Sequence, residues 1–347
     1  MQQMRKMVSQ IYEHMGDETS RNIFSCKLLH SLTGDEKYMQ NIVQESSVGD
    51  ELERMVGKSN EKGMVIFGVG ELGRWFYDCF HNTSWMNVDC FVDSNKGNES
   101  YGGVPVVKLD KYGEKIYHTL ILVCSWKFHE EQCRQLLEMG VLDENIIDVV
   151  EVMYRVRNEK QYFDLPELKV GNIEEVFIDG GCYDGINSMQ FAQWCKGNFR
   201  KIYAFEPDRN NFQKCEKVLY GIFDKEQIFI YNKGLGESEM TLNFRKDDSG
   251  SRFTADGEDM VEVVALDRVI KEKVTFLKLD VEGAEGMAIR GAKELIQREK
   301  PKCAICVYHK PEDIWEIPAL LLEYNPDYRL YLRHYSLNGN EMVLYAV

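Results

Sequence analysis

Apolar positions are sparse over the first 60 residues, where Ile23, Phe24, Leu28 and Leu29 form the one apolar stripe at helical spacing; residues 1–60 therefore read as a helical N-terminal segment. From Lys62 the pattern changes. The apolar run Met64 to Phe67 leads into Gly68-Val69-Gly70-Glu71-Leu72-Gly73 and then into a helical stretch, Arg74 to Phe80. Val88 to Val92, closed by Asp93, and Thr119 to Cys124 continue as strands. Lys127 to Met139 reads as a helix stopped by Gly140, and Asn145 to Val150 as a fourth strand. Strands alternating with helices imply a parallel sheet, which places an α/β domain at residues 61–150.

Residues 151–173 are charged and carry Pro166 and Gly171, the pattern of a helix plus linker. The strand–glycine turn–helix grammar then restarts. Glu175 to Ile178 is a strand, Asp179 to Gly185 a glycine turn, and Ser188 to Cys195 a helix. Lys201 to Phe205, ending at Glu206-Pro207, Gln227 to Tyr231, Val274 to Leu279 and Lys302 to Tyr308 follow as strands, with helices expected at Asn210 to Leu219 and Gly286 to Glu299. Two β-prone runs close the chain, Tyr328 to Tyr335 and Glu341 to Val347, and the Asn338-Gly339 pair between them predicts an antiparallel hairpin. The fold class is thus α/β: two Rossmann-like parallel-sheet domains, at 61–150 and 174–347, the second with an antiparallel end.

Composition narrows the function. With 57 acidic against 42 basic residues the net charge is −15, which repels phosphate backbones and argues against nucleic acid as a partner. No apolar run approaches the ~20 residues of a membrane span, and the polar first residues offer no secretory leader, so the expected location is the cytoplasm. The ten cysteines are scattered and several lie in apolar runs, as buried reduced thiols would. Cys303 and Cys306, three apart in a strand, point to opposite faces and so form no chelate.

Candidate chemistry gathers at strand ends. The turn Asp179-Gly180-Gly181-Cys182-Tyr183-Asp184-Gly185 lets backbone approach a ligand at the carboxyl edge of a parallel strand, or is simply a tight connection. Glu206 ends the next strand, 27 positions after Asp179, and Pro207 fixes it there. A carboxylate so placed can accept hydrogen bonds from both ribose hydroxyls of an adenosyl ligand. The fourth strand delivers Asp280, Glu282 and Glu285, which could meet an acceptor hydroxyl, a divalent metal or a sulfonium, or else cap a helix. Alternation puts Lys278, Asp280 and Glu282 on one face. His309, after the fifth strand, is a candidate general base, and Ser249-Gly250-Ser251 a loop that could close over a cofactor.

These residues carry a resemblance. Phe177 to Gly185, Tyr203 to Pro207, Leu277 to Glu285, Gly291-Ala292 and Leu330 to Tyr335 resemble the FkbM family of methyltransferases over about residues 174–347, Cys182 standing where that family often has alanine. The resemblance implies a class I methyltransferase fold with a C-terminal hairpin, S-adenosyl-L-methionine as donor, and O-methylation, often of a sugar, glycan or natural-product hydroxyl. It implies that Asp179, Gly181, Tyr183, Asp184 and Gly185 line the methionine end of the donor, and Glu206-Pro207 the ribose. On position alone Asp280 is the preferred catalytic residue, with His309 and Glu282 beside it; a metal requirement is left open. The 61–150 domain more loosely resembles the nucleotide-sugar-binding domains that precede sugar-modifying acyltransferases. Its Gly68, Gly70 and Gly73, with Asp93 23 positions after Gly70, also satisfy a dinucleotide fingerprint. Only four strands fit there, too few for a complete dinucleotide fold. An NAD(P)-dependent oxidoreductase and a non-catalytic nucleotide-sugar-binding protein remain the rival readings.

Overall fold

The computed structural model describes residues 2–57, 63–171, 174–245, 252–254, 257 and 259–347. Ser249-Gly250-Ser251 lies outside them. Contacts divide the chain into two compact units: Leu32–Gln161 with His334–Gly339, and Met1–Ser31 with Tyr162–Arg333 and Asn340–Val347. The expected helical segment is thus shared, its helices Gln2–His14 and most of Glu18–Thr33 falling in one unit, Lys37–Gln44 and Ser47–Gly57 in the other. No described helix is long and apolar enough to cross a membrane.

The 32–161 unit is built on six strands: β1 (Gly63–Phe67), β2 (Val88–Asp93), β3 (Glu99–Tyr101), β4 (Val104–Lys108), β5 (Thr119–Val123) and β6 (Ile146–Asp148). Their order is β3-β4-β2-β1-β5-β6, parallel except for β3 against β4. Side chains alternate across the sheet: Met64 and Ile66 enter a core with Phe76, Phe91 and Leu122, while Val65 and Phe67 enter another with Val92, Ile121 and Val123. Asp148 ends β6 and caps the helix Val149–Lys160 by accepting from the backbone N–H of Val150 and Glu151, both at 3.1 Å. The expectation of four strands is corrected to six. Residues 99–108 form a β-hairpin around Gly102 and Gly103, both at positive φ; its strands are short, β3 has no apolar run, and the apolar run of β4 is interrupted by Pro105.

The 162–333 unit carries β7 (Glu175–Gly180), β8 (Phe199–Phe205), β9 (Ile228–Tyr231), β10 (Gly234–Leu235), β11 (Met240–Arg245), β12 (Arg252–Phe253), β13 (Asp259–Val264), β14 (Phe276–Leu279), β15 (Lys302–Cys306), β16 (Leu330–His334) and β17 (Met342–Ala346). Seven of them form one sheet in the order β16-β17-β15-β14-β7-β8-β9. β15, β14, β7, β8 and β9 run parallel, and β17 is antiparallel to β15. Every residue of β7 is buried, as a parallel strand covered on both faces must be. Phe177 stacks on Phe191 at 4.3 Å, fastening β7 to the helix Ile186–Trp194.

Four further features were not foreseen or fall differently. β10 to β13 make a separate four-stranded sheet, and Asp313–Tyr324 is a helix. The Gly286 to Glu299 stretch is two helices, Glu285–Arg290 and Lys293–Glu299. The two closing strands are neighbours, Arg329 and Val347 exchanging both backbone hydrogen bonds, but their connection is not a two-residue turn. It runs from residue 335 to 341; neither Asn338 nor Gly339 takes positive φ, and Glu341 does, at 64°. The cause is packing: Leu337 is buried in the core of the 32–161 unit, where its carbonyl accepts from Trp75 Nε1, so the connection is drawn out beyond its local preference.

Candidate active site

The strand order reverses at β7: its successor β8 lies on one side, and β14, reached later, on the other. In open α/β sheets ligands bind at the carboxyl ends of strands at such a switch point. Here the sequence places its glycine turn. Gly181 has φ +74°, and a Cβ there would lie 1.8 Å from the carbonyl oxygen of Asp280, so only glycine lets the turn seat against the end of β14. Gly185, at φ +85°, starts the helix Ile186–Trp194. The N–H groups of Gly181 and Cys182 donate to Phe205 O at 3.0 and 3.1 Å, tying the turn to β8 as well. Tyr183 is the turn's exposed side chain, with Lys214 Nζ 5.2 Å from its ring centroid, and Asp184 Oδ1 accepts from Ile186 N at 3.1 Å.

Beneath the turn lies a buried ion pair. Lys278 Nζ is 3.0 Å from Asp179 Oδ1, both side chains wholly inaccessible. The ammonium also donates to the carbonyls of Gly181 at 2.7 Å and Gly180 at 3.3 Å, and Asp179 Oδ2 accepts from Ser188 Oγ at 2.7 Å. Burial works against the charge on Lys278, but Asp179 and Asp280 outweigh it and push its pKa up. Asp179 is therefore engaged by Lys278 and Ser188 beneath the glycine turn.

Glu206 sits at the tip of β8, 6% exposed. One oxygen accepts from Tyr183 N at 2.9 Å and the other from Asp208 N at 2.8 Å. Burial raises its pKa to about 7, against those two hydrogen bonds, which favour the ion. A carboxylate has about four acceptor sites, so capacity for two hydroxyl donors remains. Asn232 Nδ2 donates to the carbonyls of Glu206 and Pro207, at 2.9 and 3.0 Å, and holds the tip in place.

At the ends of β14 and β15 the acids and the histidine come together. Asp280 Oδ2 accepts from Tyr162 OH at 2.8 Å and Oδ1 from Tyr308 OH at 3.4 Å. Burial alone would raise the Asp280 pKa; Lys278 and His309 overcome it and lower it. β14 ends at Leu279, so strand alternation does not place Glu282. A left-handed turn does: Glu282 at φ 52° and Gly283 at φ 88° swing the carboxylate to 3.5 Å from His309 Nε2. His309 Nε2 is 3.6 Å from Asp280 Oδ1, and its Nδ1 2.9 Å from Glu285 Oε1. Burial opposes charge on His309, yet Glu285, Asp280 and Glu282 raise its pKa to about 9. Burial raises Glu282 to about 7, against the attraction of His309.

Of the residues singled out from sequence, Asp280, Glu282 and His309 thus converge, and the turn residues and Glu206 adjoin one another. Tyr162 and Tyr308 were missed. Tyr162 stands at φ 72° within the charged 151–173 stretch with no pattern around it, and only the fold brings it to Asp280. Glu285, weighed only as one acid of three, turns out to be the fully buried partner of His309.

In the other unit, Gly68 has φ +106°, and a Cβ on Gly73 would lie 1.8 Å from Gly68 O, so this turn too depends on glycine. Gly70 takes ordinary extended backbone and has no neighbour within 4 Å of a Cβ. Asp93 accepts from the N–H groups of Val69, Asn95 and Lys96 at 3.2, 2.9 and 2.9 Å, the bonding of a loop anchor.

The seven-stranded sheet with its single antiparallel strand, its switch-point glycine turn and its acid at the tip of β8 defines a methyltransferase-type α/β fold. Residues 179–336 match the family described as the methyltransferase FkbM domain. Among solved structures the chain is similar to methyltransferase FkbM from Methylobacillus flagellatus KT, at 21% identity over 85% of this chain and 93% of that one, with a TM-score of 0.51. It also aligns with Aeropyrum pernix fibrillarin in complex with natively bound S-adenosyl-L-methionine, at 14% identity over 55% of this chain and 76% of that one, TM-score 0.37. No curated protein matches the chain.

Proposed function

We propose that the 162–333 unit transfers a methyl group from S-adenosyl-L-methionine to a hydroxyl oxygen of a small-molecule or glycan acceptor. The observation that carries this reading is the presence, along the carboxyl edge of one sheet, of a buried carboxylate on the tip of β8 and an acid–imidazole group on the tips of β14 and β15. The residues present fit the donor: Glu206 keeps acceptor capacity for two ribose hydroxyls, and the glycine turn offers backbone without a Cβ in the way. The bound donor supplies a methyl carbon made electrophilic by a sulfonium. Asp179, held by Lys278, stiffens the turn. Asp280, Glu282 and His309 receive the acceptor hydroxyl, and a carboxylate takes its proton as the new C–O bond forms and the C–S bond breaks.

Titration calorimetry with S-adenosylhomocysteine, beside a methylation assay on sugar and nucleotide-sugar acceptors, tests the proposal. Absence of affinity for that product would remove it. The 32–161 unit is read as an acceptor-recognition module, supported by its glycine turn at the end of β1; nucleotide-sugar binding without NADH binding is the expected result. The cytoplasmic placement belongs to the same reading, supported by ten cysteines outside any disulfide, a state that a reducing compartment preserves.

A further inference from the structure

His309 sits among three acids without a well-formed hydrogen bond to any of them. Its side chain is 9% exposed, and neither ring nitrogen makes a hydrogen bond among the described residues, whereas buried polar groups are nearly always paired. Nε2 faces Glu282 Oε2 at 3.5 Å and Asp280 Oδ1 at 3.6 Å, beyond hydrogen-bond range. One ligand atom from each of the three residues lies within 4.8 Å of the others. The opposite ring nitrogen is 2.9 Å from Glu285 Oε1, which also accepts from Val281 N at 2.9 Å. A carboxylate on one ring nitrogen is how a metal-binding imidazole is oriented, with the other lone pair aimed at the ion. Glu282 is brought to this point at positive φ, a backbone state that needs a compensating interaction.

We propose that Asp280, Glu282 and His309 Nε2 bind one divalent first-row cation of the Mn²⁺ or Zn²⁺ kind, with Glu285 as the positioning residue for His309. The 3.5 and 3.6 Å separations are close to the ~3.4 Å between ligands arranged tetrahedrally at about 2.1 Å from an ion. An imidazole beside two carboxylates favours such ions over Mg²⁺ and Ca²⁺, which take oxygen. The cation's role rests on the methyl-transfer reading: when bound it would stand between these three residues and the acceptor hydroxyl and lower the hydroxyl's pKa, so that the proton leaves to water in place of a carboxylate occupied as a ligand.

Calorimetric titration of MnCl₂ into the full chain, stripped of metal with EDTA and free of donor, tests the site. The expected result is one Mn²⁺ per chain, bound at least tenfold more weakly by Glu282→Gln and by His309→Asn, and about tenfold more weakly by Glu285→Gln, the scale of an outer-shell loss. His81→Gln, an exposed histidine of the other unit, should leave binding unchanged. No saturable Mn²⁺ binding by the wild-type chain up to about 1 mM overturns the proposal, as does equal affinity in Glu282→Gln and His309→Asn. Glu282 is 30% exposed, so its variant folds if any does, and a thermal melt of each variant identifies one that does not. S-adenosylhomocysteine titrated separately distinguishes the two readings: a chain that binds it but not Mn²⁺ keeps methyl transfer and loses the cation site, and the converse result does the reverse.

Discussion

Lys278→Met offers the sharpest test of how the site is built. The side chain is wholly buried, 3.0 Å from Asp179, and donates to the carbonyls of Gly180 and Gly181. Methionine fills nearly the same volume, so packing changes little and the loss is electrostatic. Removing one partner of a buried ion pair leaves an uncompensated charge, at a cost of about 3–5 kcal/mol. Two carbonyls also lose a donor, one of them in the Gly181 turn, which places the expected loss toward the upper end of that range. Hydrogen exchange along a urea series, read on peptides from β7 and β14, measures the effect within this unit alone. In Lys278→Met/Asp179→Asn neither partner of the pair carries a charge, of the charge interactions only the weaker attraction of Lys278 for Asp280 stays lost, and at least half of the lost stability should return. A loss below about 1 kcal/mol in the single variant, or no recovery in the double, would refute the claim that this pair holds the turn.

Three further outcomes are expected. On the proposed function Glu206→Gln removes the ionic acceptor of two ribose hydroxyls, each charge-assisted bond contributing about 1.5 kcal/mol or more, so affinity for S-adenosylhomocysteine should fall about 100-fold by calorimetry. The free Glu206 titrates at about 7, facing Asp208, which raises its pKa, and Lys278, which lowers it; hydroxyl donors favour its ion, so wild-type affinity should weaken as pH falls through 7 and Glu206→Gln should lose that dependence. Gly181→Ala meets both a positive φ and the backbone carbonyl of Asp280, and should cost more than about 2 kcal/mol by the same exchange experiment, whereas Gly185→Ala shares the positive φ but meets only the side chains of Leu219 and Cys215 and should cost less, about 1–2 kcal/mol. Asp93→Ala removes the acceptor of three N–H groups and should lower the stability of the 32–161 unit by about 1 kcal/mol in thermal unfolding. Partial burial opposes the lowered pKa of Asp93 and its three hydrogen bonds produce it, so the contribution is present above its ordinary titration range and lost as pH falls through the lowered folded value.

Local pattern was enough for the elements around the site. Runs such as residues 120–123 and 176–178 are buried on both faces, which requires continuous apolar stretches, and the turns at Gly68 and Gly181 require φ values that glycine alone adopts readily; both constraints are written residue by residue. Glu206 and Asp280 could be found because strand ends can be counted. Tertiary structure decided everything that depends on distant partners. The hairpin β3–β4 hides in two short strands, one without an apolar run and one broken by Pro105, and the Asn338-Gly339 turn yields to the burial of Leu337. Tyr162 reaches Asp280 across 118 positions, and Glu282 joins His309 through a left-handed turn that breaks strand alternation. Periodicity records which face of an element is covered, but not which other element covers it. The grouping of Asp280, Glu282, Glu285 and His309 therefore exists only once β14 and β15 lie side by side.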